Sequence, residues 1–258
     1  MMKKRKVGVM IESFRLGVKE GIRKAAEVGA DGFQVFVTGG EMAPDAMGES
    51  ARRDFRDFVA KQGLVISALC ADYGHGFLDA DKNDEIVEKS KKCVDLAVDL
   101  GTNVITTHIG KLPDAAADPR WKACHEAISE LASYGESREV FFATETGPES
   151  PEHLLRFLKT VRSEGIKVNY DPANFAMNGF DQLAGVRILK DYIVHTHAKD
   201  GMKGEMREVP LGEGAVDFPK YIALLDEIGY DGFLTIEREV GDDPISDVVK
   251  AVEFLRQF

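Results

Sequence analysis

Cysteine is scarce in this chain: Cys70, Cys93 and Cys124 are the only three in 258 residues, far apart and with no C-x-x-C. That excludes a disulfide framework and a cysteine-based zinc site, and it suits a reducing compartment. Long apolar runs are missing too. No window approaches the ~20 apolar residues that a membrane-spanning helix needs. The basic stretch from Met1 to Lys6 is followed by the apolar run VGVMI, which stops at Glu12; a secretory signal needs a longer one and a cleavage site. The expectation is a cytoplasmic protein with no membrane partner. Positive charge is in deficit, with 33 Lys and Arg against 44 Asp and Glu and a formal net charge of −11. Duplex binding draws its non-specific affinity from clustered Lys and Arg on phosphates, so nucleic acid is not expected as a partner. A small anion held by one local basic cluster remains compatible. No G-x-G-x-x-G follows the first β-rich run, which argues against a dinucleotide-binding sheet, and no Ser/Pro-rich linker divides the chain.

What is present is alternation. Short β-rich runs, KVGVM, GFQVFV, LVISALC, NVITTHI, EVFFATE, KVNYD, YIVHTHA and GFLTIE, are separated by longer helical patterns. Most of the runs are continuously apolar, as strands covered on both faces are. The clearest helical pattern runs from Asp84 to Leu100 and stops at Gly101; another runs from Asp217, a candidate N-cap, to Ile228 before Gly229. Similar stretches cover about 17–29, 50–62, 119–134, 151–163, 180–190 and 244–257. The segments EVGADGFQVFV and EIGYDGFLTIE resemble each other and point to one βα building unit used twice. Strict alternation predicts a parallel sheet with right-handed crossovers. Eight units in 258 residues predict an α/β chain folded as a single (β/α)8 TIM barrel domain over residues 1–258.

Chemistry in such a barrel gathers at the C-terminal strand ends. Strand five ends at Glu145, six at Asp171 and eight at Glu237; strand seven carries His195 and His197, two apart and so facing the same way, and strand four ends at His108. Three carboxylates about 5 Å apart would repel by about 3 kcal/mol per pair at an effective dielectric of about 20. The residues after Glu145 and Asp171 are uncharged (TGP and PAN), so a divalent cation is the economical neutraliser. Oxygen-rich ligation with one imidazole suits Mn²⁺ first, then Co²⁺ or Mg²⁺; Zn²⁺ with a bound water is also compatible.

The motifs ATETG, NYDPAN, VHTHAKD, LGEGAVDF and TIE, in this order between about residues 140 and 240, resemble the sugar isomerase/epimerase group of xylose-isomerase-like barrels, which includes ketose 3-epimerases and hydroxypyruvate isomerases. The resemblance implies that Glu145, Asp171, His197 and Glu237 are the metal ligands, and that Glu145 and Glu237 are the catalytic acid/base pair. Ketose epimerases of the group often have a substrate-binding His three residues after the strand-six Asp; this chain has Asn174 there. The implied activity is metal-dependent isomerisation or epimerisation of a ketose or ketose phosphate, through proton abstraction beside a carbonyl and an enediolate.

Around that centre His108, Lys199, Asn174, Glu213 and His195 are candidates for substrate contact. His195 could equally be a core histidine. Lys203 and Arg207 are more simply read as solvated loop charges, and His75 as a surface loop histidine. A dehydratase of a cyclic polyol ketone would use the same barrel and the same first proton abstraction. An apurinic-site endonuclease needs further histidines for a three-zinc cluster. Asn174 replaces one of them, and the segment from Met206 to Gly214 offers no D-x-H. A sugar-binding barrel without catalysis is a fourth reading, and a homodimer is one expectation for its assembly.

Overall fold

The eight apolar runs form the eight parallel strands of one closed barrel in the computed structural model, which describes residues 5–258. Of the basic N-terminal stretch, Met1–Lys4 lie outside the described residues. The first seven strands are β1 (Lys6–Met10), β2 (Gly32–Phe36), β3 (Val65–Cys70), β4 (Val104–Thr107), β5 (Phe141–Glu145), β6 (Ile166–Tyr170) and β7 (Ile193–Ala198). Next come β8 (Asp200–Gly201) and β9 (Glu208–Val209), a short antiparallel ribbon outside the barrel, and then β10 (Phe233–Ile236), which closes the barrel against β1 and β7. The eighth barrel strand of the sequence is therefore β10. The ribbon, two residues on each side, is too short to leave a period-2 pattern.

The helices are α1 (Val18–Glu27), α2 (Glu49–Lys61), α3 (Ala80–Leu100), α4 (Pro119–Glu136), α5 (Pro151–Leu158), α6 (Pro172–Met177), α7 (Gln182–Leu189), α8 (Phe218–Glu227) and α9 (Pro244–Leu255). Their starts follow from capping chemistry: Asp118, Ser150 and Asp217 each accept a backbone N–H of the first turn, with proline just inside. The helix expected from Asp84 begins earlier, at Ala80, because Asp79 caps it through the Asp81 amide. The helix expected to reach residue 163 ends at Leu158. The two similar segments do the same job. Gly29 (φ 83°) and Gly229 (φ 76°) end α1 and α8 in the left-handed region before β2 and β10.

Barrel strands are buried on both faces, and the core between them and the helices includes Phe33, Phe142, Phe157, Phe175 and Tyr221. The register is interrupted at two points, by Ser67 on β3 opposite Phe33 and Gln34 and by Val194 on β7 opposite Val168 and Asn169. Such bulges re-aim a side chain. Opposite the two bulges stand two buried amides, Gln34 and Asn169. All three cysteines are free and buried. Among the described residues no helix is long and apolar enough to cross a membrane.

Candidate metal centre

Glu145, Asp171, His197 and Glu237 come from the ends of β5, β6, β7 and β10, and each offers one ligand atom within 4.8 Å of the others. From His197 Nδ1 the nearest carboxylate oxygens lie at 3.2 Å (Glu237), 3.5 Å (Glu145) and 3.8 Å (Asp171). Ligands held about 2.1 Å from one ion stand about 3–4 Å from each other, so these spacings match a shared cation. Two buried atoms sharpen the fit. Asp171 Oδ2 and His197 Nδ1 have no hydrogen-bond partner of proper geometry, an arrangement that is costly unless something else occupies them.

Local structure explains why those atoms are free. Asp171 is the N-cap of α6; its Oδ1 accepts the amides of Ala173 (2.7 Å) and Asn174 (3.0 Å), leaving Oδ2 for the centre. Helix α6 is absent from the expected elements, since six residues are too few for a helical period to show. His197 Nε2 faces away from the cluster, 3.0 Å from the Gln34 side-chain oxygen. Glu145 is gripped by two amides, Asn169 on Oε2 (3.2 Å) and Asn174 on Oε1 (2.9 Å).

The charges are incompletely balanced. Lys199, 4% exposed, places Nζ 3.0 Å from Glu237 Oε2 and also pairs with Glu239. One lysine, already shared, therefore stands against three carboxylates. Burial pushes the pKa of Glu237 up, but His197 and Lys199 outweigh it and hold it well below the carboxylate range. Burial likewise opposes ionisation of Glu145, and His108 and His197 outweigh it in turn. Burial pushes the His197 pKa down, yet Glu237 and Glu145 raise it well above the imidazole range. His108, at the barrel mouth, is pushed up to about 9 by the charge of Glu145, with Asp72 bonded to its Nδ1 at 2.6 Å.

The Xylose isomerase-like TIM barrel family model matches residues 22–258. The chain belongs to this family. One relative, the putative L-ribulose-5-phosphate 3-epimerase SgbU of Haemophilus influenzae, is 25% identical over 231 residues, 81% of this chain and 79% of that protein. Among solved structures, a xylose isomerase domain protein from Planctomyces limnophilus superposes with a TM-score of 0.86 at 23% identity, over 100% of this chain and 97% of the other. The probable 3-DHS dehydratase AsbF of Bacillus anthracis gives 0.80 at 19%, over 97% and 98%. These two likenesses show a shared fold.

Within this member of the xylose isomerase-like family, the residues expected to touch substrate divide. His108 stands at the mouth, 47% exposed, with Nε2 3.6 Å from Glu145 Oε1. Lys199 and Asn174 lie beside the cluster, but their polar hydrogens are directed to Glu237 and Glu239, and to Glu145 and the Thr146 carbonyl. His195 departs from the expectation. It is 2% exposed, its Nδ1 bonds Asn169 Oδ1 (2.8 Å) and its Nε2 bonds Thr235 (3.0 Å), so neither ring nitrogen is left for a substrate. Burial holds its pKa well below the usual range; it is a neutral brace for Asn169. Glu213 also departs, standing exposed on the loop after β9. That loop is knotted by Asp200, whose carboxylate accepts the amides of Gly201, Gly212, Gly214 and Val216. A side chain at Gly214 would strike Asp200 Oδ1 at 2.1 Å, so the two glycines serve this knot.

Sequence reasoning missed Gln34, Asn169, Asp72 and Glu149. For the first two the signal was a polar residue inside an apolar run, GFQVFV and KVNYD. Glu149, 5% exposed on the loop after β5 and with Oε2 unpartnered, has its pKa pushed up to about 7 by burial. A raised carboxyl pKa favours the protonated fold, so the cost is absent below the unfolded value near 4.5 and complete above about 7. Glu149→Gln is expected to raise stability at pH 8 by up to about 3 kcal/mol, and to change it little at pH 4.5. Urea unfolding at the two pH values checks this; an equal effect at both would contradict it.

Proposed function

We propose that the chain is a metal-dependent isomerase or epimerase acting on a ketose or ketose phosphate, with Glu145 and Glu237 as its acid/base pair. The observation that carries the reading is the placement of two buried, ionised glutamates from non-adjacent strands, 3.5 and 3.2 Å from the same His197 Nδ1. Glu145, Asp171, His197 and Glu237 would hold one divalent ion, Mn²⁺ foremost. When bound, it would supply Lewis-acid stabilisation of the negative charge that develops on the substrate oxygens. One glutamate, as the carboxylate, takes the proton from the carbon beside the carbonyl; the other, once it has drawn a proton from solvent, delivers that proton. Delivery to the opposite face of the same carbon inverts it; delivery to the neighbouring carbonyl carbon, with the hydroxyl proton passing to the former carbonyl oxygen, moves the carbonyl.

Each glutamate is prepared for one state. Two asparagine amides donate to Glu145, and Lys199 donates to Glu237; both arrangements favour the carboxylate, which a base must be. His108, protonated at neutral pH beside Glu145, is placed to donate to a substrate oxygen at the mouth. The likeness to the putative L-ribulose-5-phosphate 3-epimerase of Haemophilus influenzae supports a pentulose phosphate as the first substrate to try. The cytoplasm, where the three buried thiols stay reduced, is the proposed compartment, and assembly as a homodimer the proposed state.

The test is a panel of ketoses and ketose phosphates incubated with the metal-loaded protein in D₂O and followed by NMR. The expected result is deuterium at one carbon beside the carbonyl, in an isomer of unchanged composition apart from that label. Loss of water to an unsaturated product would replace the reading with a dehydratase, and no exchange across the panel with metal bound would contradict catalysis.

A further inference from the structure

We propose that Gln34 is a positioning residue that fixes the tautomer and orientation of His197, so that Nδ1 presents a lone pair to the cation. The inference rests on the metal reading above. An imidazole can ligate through Nδ1 only if the ring proton sits on Nε2, and something must hold it there. Gln34 is fully buried on β2, opposite the bulge that Ser67 makes in β3. Its amide nitrogen donates to Thr106 Oγ1 on β4 (3.0 Å), which turns its oxygen toward His197 Nε2, also 3.0 Å away. An amide oxygen only accepts, so Nε2 must carry the hydrogen.

Asn169 Nδ2 also lies near Nε2, at 3.2 Å, and Nε2 cannot donate to one neighbour while accepting from the other. The Asn169 orientation is settled elsewhere: His195 Nδ1 holds its oxygen (2.8 Å), and its amide hydrogens point toward Glu145 Oε2 (3.2 Å). Asn169 Nδ2 can only donate, so Gln34 Oε1, the acceptor of the two and the nearer, takes the Nε2 hydrogen. When the ring loses a proton it is therefore Nδ1, an atom without a hydrogen-bond partner facing three carboxylates, that is left with the lone pair. Partners of this kind behind a ligating histidine typically change metal affinity 10–100-fold when lost.

The experiment measures Mn²⁺, Co²⁺ and Zn²⁺ affinity of the full chain by chelator competition, together with the visible absorption of the Co²⁺ form. Gln34→Leu, which keeps the bulk and removes the acceptor, is expected to weaken binding 10–100-fold and shift the Co²⁺ bands. Gln34→Glu, which keeps an acceptor opposite Nε2, is expected to hold wild-type affinity or better. Thr106→Val, releasing the far end of the amide, is expected to weaken binding by a smaller factor, and it decides the matter should Gln34→Leu not fold. Folded Gln34→Leu with affinity within twofold of wild type, or Gln34→Glu as damaging as Gln34→Leu, would overturn the role of Gln34. Failure of the wild-type chain to bind one ion would instead overturn the metal reading itself.

Discussion

Glu145→Gln and Glu237→Gln are each expected to lower solvent exchange of the substrate's carbon-bound proton by about 10²–10⁴-fold, the usual contribution of one positioned acid or base. The two differ in their collateral effects. Glu237→Gln leaves Lys199 paired with Glu239 and removes one of three clustered negative charges, so folding should survive. Glu145→Gln brings an amide hydrogen toward one of the asparagine amides that now donate to Glu145; some stability is lost with the bond. Both variants lose a ligand, so exchange must be compared at saturating metal. Saturated variants within fivefold of wild type would remove the glutamates from the chemistry.

Metal affinity is expected to fall by on the order of tenfold for each pH unit lowered between 8 and 6. The sign follows from His197. Burial opposes its protonation, but Glu237 and Glu145 outweigh burial and raise the pKa well above the imidazole range. Without a cation, His197 therefore carries a proton on Nδ1 at neutral pH, and a cation must displace it. Raising the pH toward that pKa removes the competition; lowering it strengthens it. Titration calorimetry in buffers of different ionisation enthalpy should find about one proton released per ion bound. Affinity that stays flat from pH 6 to 8 would contradict this assignment.

How far the site was legible follows from where each residue lies. Glu145, Asp171, His197 and Glu237 end short apolar runs, where barrel geometry forces convergence; counting along strands brought them up together with His108 and His195, and the family resemblance singled out the four. Gln34 and Asn169 sit at register shifts. The extra residues behind those shifts are Ser67 on β3 and Val194 on β7; a single polar residue in an apolar run does not by itself say which side chain it faces. His195 has the same parity as His197, but depth along a strand decides whether an inward side chain meets substrate or core, and parity carries no depth. The pairing of Lys199 with Glu237 and Glu239 joins β7 to the loop after β10, a contact that no local spacing encodes. It also qualifies the charge argument: Lys199 and, without a cation, a protonated His197 relieve part of the carboxylate repulsion, so a cation competes with that proton for the cluster. The fold was legible because eight buried strands with capped helices repeat one signal; α6 and the β8–β9 ribbon were not, being too short to repeat anything.

The most direct measurement is anomalous diffraction from a crystal of the Mn²⁺-loaded protein, collected on both sides of the manganese edge. The account predicts one peak per chain, enclosed by Glu145, Asp171, His197 and Glu237, with His197 bound through Nδ1. No peak among those four side chains, with the metal seated elsewhere or His197 turned to bind through Nε2, would contradict it.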